Sequence, residues 1–437
     1  MDDRRSFLKK AGLLAAGLQL QGCVSATART DGAAAITGST RPATPDDWQQ
    51  VRGEFNIDTD WTHLAGFLIT SHPRMVRDDI AAHRDRIDRN PAEEMDYLNI
   101  WRHEDDSRAW AARYLGVQTP QIALTGSTTE GIGLIYNGLV IHPGQEVLTS
   151  EHEHYATKGA LSFRAERDGT RIKTIRLFKD PHTVTADEVL DTLSRNISAK
   201  TRVLAMTWVH SGSGIKMPIA EIGKLVDERN RSRGEKDRII FCVDGVHGFG
   251  VENVNFADLN CDYFMAGTHK WIFGPRGTGI ICSRNPQVQD LIPTFESFSA
   301  SEDFGTTMTP GGYHAFEHQW ALRKAFEFHL QLGKDRVATR IHELNSEFKE
   351  HLQHVRGVQL VTPASTELSA GFTFFRVKDV APETVAHYLK ANKVIADATD
   401  RDVGPLVRTA PGLLNDSAQL QRVARLLAEA PFNRKTA

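Results

Sequence analysis

The sequence predicts an α/β fold built on a mainly parallel sheet, and three features carry that reading. Strand-like and helix-like segments alternate through residues 146–231, the pattern of a parallel sheet covered by helices. Two apolar runs follow, 238–243 and 262–266, the first ending in Asp244 and the second leading into the glycine-rich loop 267–279 that contains Lys270. From about Phe326 the pattern changes to long helices and then short strands at 371–377 and 406–409, which sets off a smaller α+β domain.

Taken in order, the chain opens with what reads as a twin-arginine export leader over residues 1–28. Arg4 and Arg5 precede Ser6, Phe7, Leu8 and Lys9, and the apolar stretch 12–18 is too short to span a membrane. Cleavage after Ala28 suits the small residues there, and Cys23 in Leu20, Gln21, Gly22, Cys23 is a candidate lipid-anchor site. Residues 29–60 form a linker and N-terminal segment, rich in Ala, Thr, Pro and Gly as far as Asp47. A large domain is expected over 61–325 and a small one over 326–437. Residues 74–116 look helical, their scattered charges forming a solvated face.

Residues 122–125 read as a strand, and Ser127, Thr128, Thr129 and Glu130 as a capping box that opens a helix. The free amides of a helix start, joined by the Thr128 and Thr129 hydroxyls, make an anion site. Strands are then expected at 146–149, 171–177 and 202–209, and helices at 158–167, 186–195 and 219–231. An acid at the carboxyl end of one buried strand and a lysine after the next converge on one crevice. The net charge of −3 argues against a nucleic-acid partner. Beyond the leader no apolar stretch is long enough to span a membrane. Of the four cysteines, Cys242 and Cys282 lie in apolar strands and Cys261 beside one, so they read as buried hydrophobes with no disulfide pattern. No metal site is expected.

The pairing of Asp244 with Lys270 suits pyridoxal 5′-phosphate, which needs a lysine for its Schiff base and a carboxylate to keep its pyridine nitrogen protonated. With the helix start at Thr128, the order of these features resembles the class V aminotransferases, pyridoxal-phosphate enzymes of the type I fold, in the branch similar to isopenicillin N epimerase. The likeness runs from about His63 to the C-terminus. It implies a seven-stranded sheet in the large domain, with Lys270 as the Schiff-base lysine and Asp244 as partner of the pyridine nitrogen. It places His247 at the phenolic oxygen, and Thr128, Thr129, Thr268 and His269 at the phosphate. His154 would lie over the cofactor ring and act in catalysis, with His152 as the alternative. Arg408 would clamp the substrate's α-carboxylate, its planar fork suiting that group. Ser211 falls where relatives often carry asparagine. Residues 305–318 resemble a segment that reaches into a neighbouring subunit's site, which implies a homodimer.

Cysteine desulfurases share this fold but need a thiol on a mobile loop, and no cysteine follows Cys282. A non-catalytic binding protein of the same fold would be expected to lose Lys270 or Asp244, and both are present. The leader, together with runs 207–212 and 311–314, resembles periplasmic enzymes that tailor the siderophore pyoverdine. That resemblance implies a peptide-siderophore substrate whose glutamate side arm becomes succinamide by decarboxylation with oxidation. It also implies a periplasmic location and the twin-arginine translocase as a partner during export. A periplasmic aminotransferase or epimerase acting on another peptide-linked amino acid is the alternative.

Overall fold

The computed structural model describes residues 45–299 and 301–434. The leader, Cys23 and most of the linker lie outside the described residues. Seven strands form the central sheet: β1 (Ile122–Thr125), β2 (Glu146–Ser150), β3 (Arg171–Ile175), β4 (Thr201–Thr207), β5 (Ile240–Asp244), β6 (Tyr263–Gly267) and β7 (Gly279–Ser283). Their order is β1-β7-β6-β5-β4-β2-β3. Every neighbouring pair from β6 to β3 is parallel, whereas β7 runs antiparallel to both β6 and β1. The expected α/β architecture, mostly parallel and seven-stranded, is therefore present.

Burial on both faces explains why the central strands are continuous apolar runs rather than alternating ones. Phe241 and Val243 of β5 enter one core while Ile240 and Cys242 enter another on the opposite face, and Leu204/Met206 and Val203/Ala205 of β4 divide the same way. Helices Thr128–Gly138 and Tyr155–Asp168 pack against each other beside the second core. The edge strand β3 is the exception, half-buried to exposed along its length.

The small domain is a four-stranded antiparallel sheet, β8 (Val358–Leu360), β9 (Thr373–Val377), β10 (Asp397–Arg401) and β11 (Gly404–Thr409), in the order β10-β11-β9-β8. Helices Lys334–Gln353, Pro382–Ala391 and Ser417–Glu429 supply Leu344, Phe348, Val385, Leu389 and Leu420 to its core. Helix Phe316–Leu332 runs across the boundary drawn from the sequence at 325/326. Thr62 and His63 pair in parallel with Val394 and Ile395, and Leu64 joins the small-domain core, so the start of the expected large domain is packed on the small one. Among the described residues no helix is long and apolar enough to cross a membrane, and no group of three or more His, Cys, Asp or Glu is arranged to hold a metal ion. Cys242, Cys261 and Cys282 are free and buried.

Candidate active site

A cavity of about 260 Å³ opens at the carboxyl ends of the parallel strands, where the small domain leans over them. Its floor is built by β4 to β6. Register places Asp244, the last residue of β5, opposite Thr207 of β4 and Met265 of β6. The chain then turns under close backbone approach: a Cβ at Gly245 would lie 1.8 Å from the Phe264 ring, and one at Gly248 2.2 Å from Trp208. That turn delivers His247. After β6 the loop delivers Lys270, whose Nζ stands 3.4 Å from His247 Nε2. Phe273, three residues on, sits at φ 59°, a left-handed conformation that costs a bulky residue energy. Packing of its ring against Phe55, Phe328 and His329 holds it there.

One wall is the start of helix Thr128–Gly138. Ser127 caps it by accepting from the Glu130 amide at 3.1 Å, while the Glu130 carboxylate accepts from Gly126 rather than from the cap's own amide. The first-turn amides of such a helix have no intrahelical acceptor. Thr128 Oγ1 accepts from the Gly267 amide at 2.7 Å, which ties this helix to the end of β6.

Electrostatics follow from burial. Asp244 has one hydrogen-bond donor, the Val246 amide at 3.2 Å, and burial lifts its carboxyl to about 6 despite that bond and the charge of Lys270. Lys270 is lowered to about 8, chiefly by burial, with Asp244 opposing the shift and Arg408 and Arg401 adding to it. Burial and then the Lys270 charge hold His247 well below the usual histidine range, so it is a neutral ring near pH 7. His154 is lowered to about 3 by burial and then by Arg401 and Lys270. Its Nδ1 accepts from the Ala156 amide at 3.2 Å, so it caps helix Tyr155–Asp168.

The expected residues Thr128, Thr129, His154, Asp244, His247, His269, Lys270 and Arg408 all line this cavity. Thr268 does not. It is fully buried, and its hydroxyl lies 2.5 Å from that of Thr278 inside the loop, so it shapes the loop instead of facing the site. His152, the alternative to His154, also lies apart. It stacks on Phe178 at 3.9 Å, accepts from the Leu177 amide through Nε2 at 3.2 Å, and its Nδ1 is 2.6 Å from Asp402 of the small domain.

Three features escaped the sequence reading. Arg401, at the end of β10, is a second guanidinium in the cavity. Asp397 lies directly across from Arg408 in the β10–β11 register and accepts from its Nε and Nη2 at 2.7 and 2.5 Å. Glu153 is buried behind Thr207, accepting from it at 2.5 Å and from Ser150 at 2.6 Å, and burial pushes it up to about 7. The turn signal Asp402, Val403, Gly404 could have revealed the hairpin carrying Arg401 and Asp397.

Comparison with known proteins names the lineage of this site. The profile of the family aminotransferase class-V matches residues 98–410, well over half of the chain and every cavity-lining residue named above. The chain belongs to the class-V aminotransferase family. As an enzyme of this family it is similar to the isopenicillin N epimerase of Amycolatopsis lactamdurans, 27% identical over 410 residues, covering 87% of this chain and 98% of that protein. The isopenicillin N epimerase of Streptomyces clavuligerus is 25% identical over 413 residues, with the same shares covered. A probable cysteine desulfurase of Xylella fastidiosa is 25% identical over 393 residues, 85% of this chain and 91% of that protein. Among solved structures, a C-DES variant with glycine covalently linked to its PLP cofactor superposes with a TM-score of 0.78 at 19% identity, covering 86% of this class-V chain and 99% of that one. That likeness speaks to the fold. Unlike a site that presents a thiol, the cavity here is lined by no cysteine among the described residues.

Proposed function

We propose that this enzyme binds pyridoxal phosphate in the cavity and acts on the α-amino group of a peptide-linked amino acid in the periplasm, the glutamate side arm of pyoverdine being the substrate. The observation that carries the reading is one cavity with the Asp244 carboxyl and the Lys270 amine on its floor, a helix N-terminus on one wall and guanidinium groups on the other. The residues fit the cofactor. Asp244 is a buried carboxyl with a single hydrogen-bond donor, suited to a protonated ring nitrogen, and the buried His247 Nδ1 has no protein partner among the described residues. Thr128, Thr129 and His269 surround the helix start where a phosphate belongs.

When bound, the cofactor draws electrons from the substrate's α-carbon and makes its bonds labile. Asp244 keeps the ring nitrogen protonated. Lys270 would hold the cofactor, and its free amine would serve as a base toward the α-carbon, its lowered pKa bringing it within range of proton transfer near neutral pH. Arg408 orients the α-carboxylate, and His154 with Phe67 shields the reacting centre from water. The overall change balances as the side-arm amino acid plus dioxygen giving the side-arm amide, carbon dioxide and water. The bond from the α-carbon to the carboxylate breaks, one oxygen atom becomes the amide carbonyl, and the nitrogen stays. A homodimer, and export of the loaded protein through the twin-arginine route, complete the proposal. Lys at both Arg4 and Arg5 should hold the protein in the cytoplasm on fractionation.

The test begins with the absorbance spectrum of purified protein. A visible band that borohydride fixes on Lys270, and that is lost in Lys270→Ala, is expected. Absence of a band after adding pyridoxal phosphate would remove the reading. Next, nitrogen-15 placed in the glutamate amine should appear in the product amide. The end-to-end similarity to isopenicillin N epimerases favours one second reading, inversion at the α-carbon. That reading calls for solvent deuterium at the α-carbon with the carboxylate retained and no dioxygen consumed.

A further inference from the structure

Two guanidinium groups share one anchor at the mouth of the cavity. Arg401 Nη1 donates to the Ser211 hydroxyl at 2.5 Å, and Arg408 Nη1 donates to the carbonyl of the same residue at 2.9 Å. Each is also set against an aromatic ring, Arg401 with its guanidinium carbon 5.9 Å from the Tyr155 centroid and Arg408 4.9 Å from that of Phe67. Their commitments differ. Of the five N–H groups of a guanidinium, Arg408 uses three, two on Asp397 and one on Ser211. Among the described residues Arg401 uses one, on Ser211.

The nearby carboxylates are already taken: Asp397 is held by Arg408 and Asp402 by His152. Among the described residues no carboxylate lies within ion-pair distance of Arg401. Asp397 offsets the charge of Arg408, which leaves the charge of Arg401 in excess beside it, and an anion placed against both groups is attracted by that excess. Planar forks held by aromatic faces are suited to a carboxylate. Register explains the placement. Asp397 and Arg401 are four residues apart on β10, so they share a face of the strand, and pairing of Asp397 with Arg408 turns that face toward the cavity.

We propose that Arg401 is a substrate-binding residue that brackets the α-carboxylate of the amino-acid substrate together with Arg408, and that Ser211 positions both. This rests on the reading of the cavity as an amino-acid site. It gives Ser211 a role toward the two arginines.

The experiment compares two probes on the holoenzyme by calorimetry, which needs no chromophore, with the absorbance spectrum recorded in parallel. One probe is γ-glutamylethylamide, which carries the α-carboxylate and the free α-amine. The other is N-ethyl-4-aminobutanamide, the same molecule without the carboxylate. The wild type should prefer the first. Arg401→Gln should reduce that preference about tenfold or more, the scale of a lost charge-assisted hydrogen bond, through weaker binding of the first probe and with no weakening of the second. Arg401→Lys, which keeps the charge but not the fork, should fall between. Ser211→Ala should weaken the preference while both arginines remain. Retention of the full preference in Arg401→Gln would overturn the proposal, as would failure of the wild type to distinguish the probes. A missing cofactor band with an Arg401-dependent preference would remove the cofactor assignment and leave the clamp standing.

Discussion

Lys270 is where the chemistry and the physics of the fold meet. Burial and the two arginines lower it, and Asp244 pulls the other way, leaving it at about 8. A lysine with an ordinary pKa near 10.4 would be almost wholly protonated at neutral pH and a poor nucleophile toward an aldehyde. Only the neutral amine attacks, so capture of added pyridoxal phosphate by cofactor-free protein should speed up about tenfold per pH unit below about 8 and level off above it. Arg401→Gln removes one of the charges that lower the pKa and should move this midpoint upward, whereas Asp244→Asn should move it downward. Stopped-flow absorbance across pH 6–10 measures both. A wild-type midpoint above 10 would mean that burial does not act on the amine as described.

At the scale of elements, the turn between β5 and His247 sets the site, and its tolerance is low. A methyl group at Gly245 would overlap the Phe264 ring at 1.8 Å. Phe264 is fully buried in β6, so relief requires moving either the strand that precedes Lys270 or the turn that follows Asp244. Gly245→Ala should therefore cost about 1–3 kcal/mol in denaturant unfolding and weaken cofactor retention as well. A variant of normal stability and normal cofactor affinity would show that the turn can shift freely. The same element shows which parts were legible beforehand. Strand β5 is an unbroken apolar run because both of its faces are covered, and it ends in an acid where an acid has a use. Strand β10 carries Asp397, Ala398, Thr399, Asp400 and Arg401, residues of mostly low strand propensity. Cross-strand pairing with β11 stabilises it, and that contact is visible only after folding. Arg401 and Asp397 were hidden for this reason, with the turn after them as the one local signal, while Arg408 was named through the family resemblance. Thr268 was misplaced for a different reason: His269 and Lys270 after it line the cavity, but its own side chain turns inward to Thr278.

Across the whole molecule, two unlike contacts are prominent among those that join the domains around the cavity. One is a wedge: Trp271, next to Lys270, fits against Gly371 and Gly412, where a Cβ would come within 2.6 and 3.3 Å of its ring. Its carbonyl lies 2.7 Å from Nε2 of the buried His329. The other is polar: the turn after β10 brings Asp402 to His152, while Arg401 reaches Ser211. A tightly packed ring against glycine leaves no slack, whereas a few hydrogen bonds can open and re-form. The wedge therefore acts as the fixed side and the His152–Asp402 contact as the latch. With its Nε2 accepting from the Leu177 amide, a neutral His152 carries its proton on Nδ1 and donates to Asp402. Asp402→Ala strands that buried N–H, a loss of about 1–3 kcal/mol. It also frees the turn that carries Arg401. Faster hydrogen exchange is expected in residues 401–404 and 210–214, with the amides around Trp271 unchanged and amino-acid binding weakened through misplacement of Arg401. Equal acceleration at both contacts would mean that the domains separate as one unit, and no acceleration at either would mean that the latch contributes nothing to holding them together.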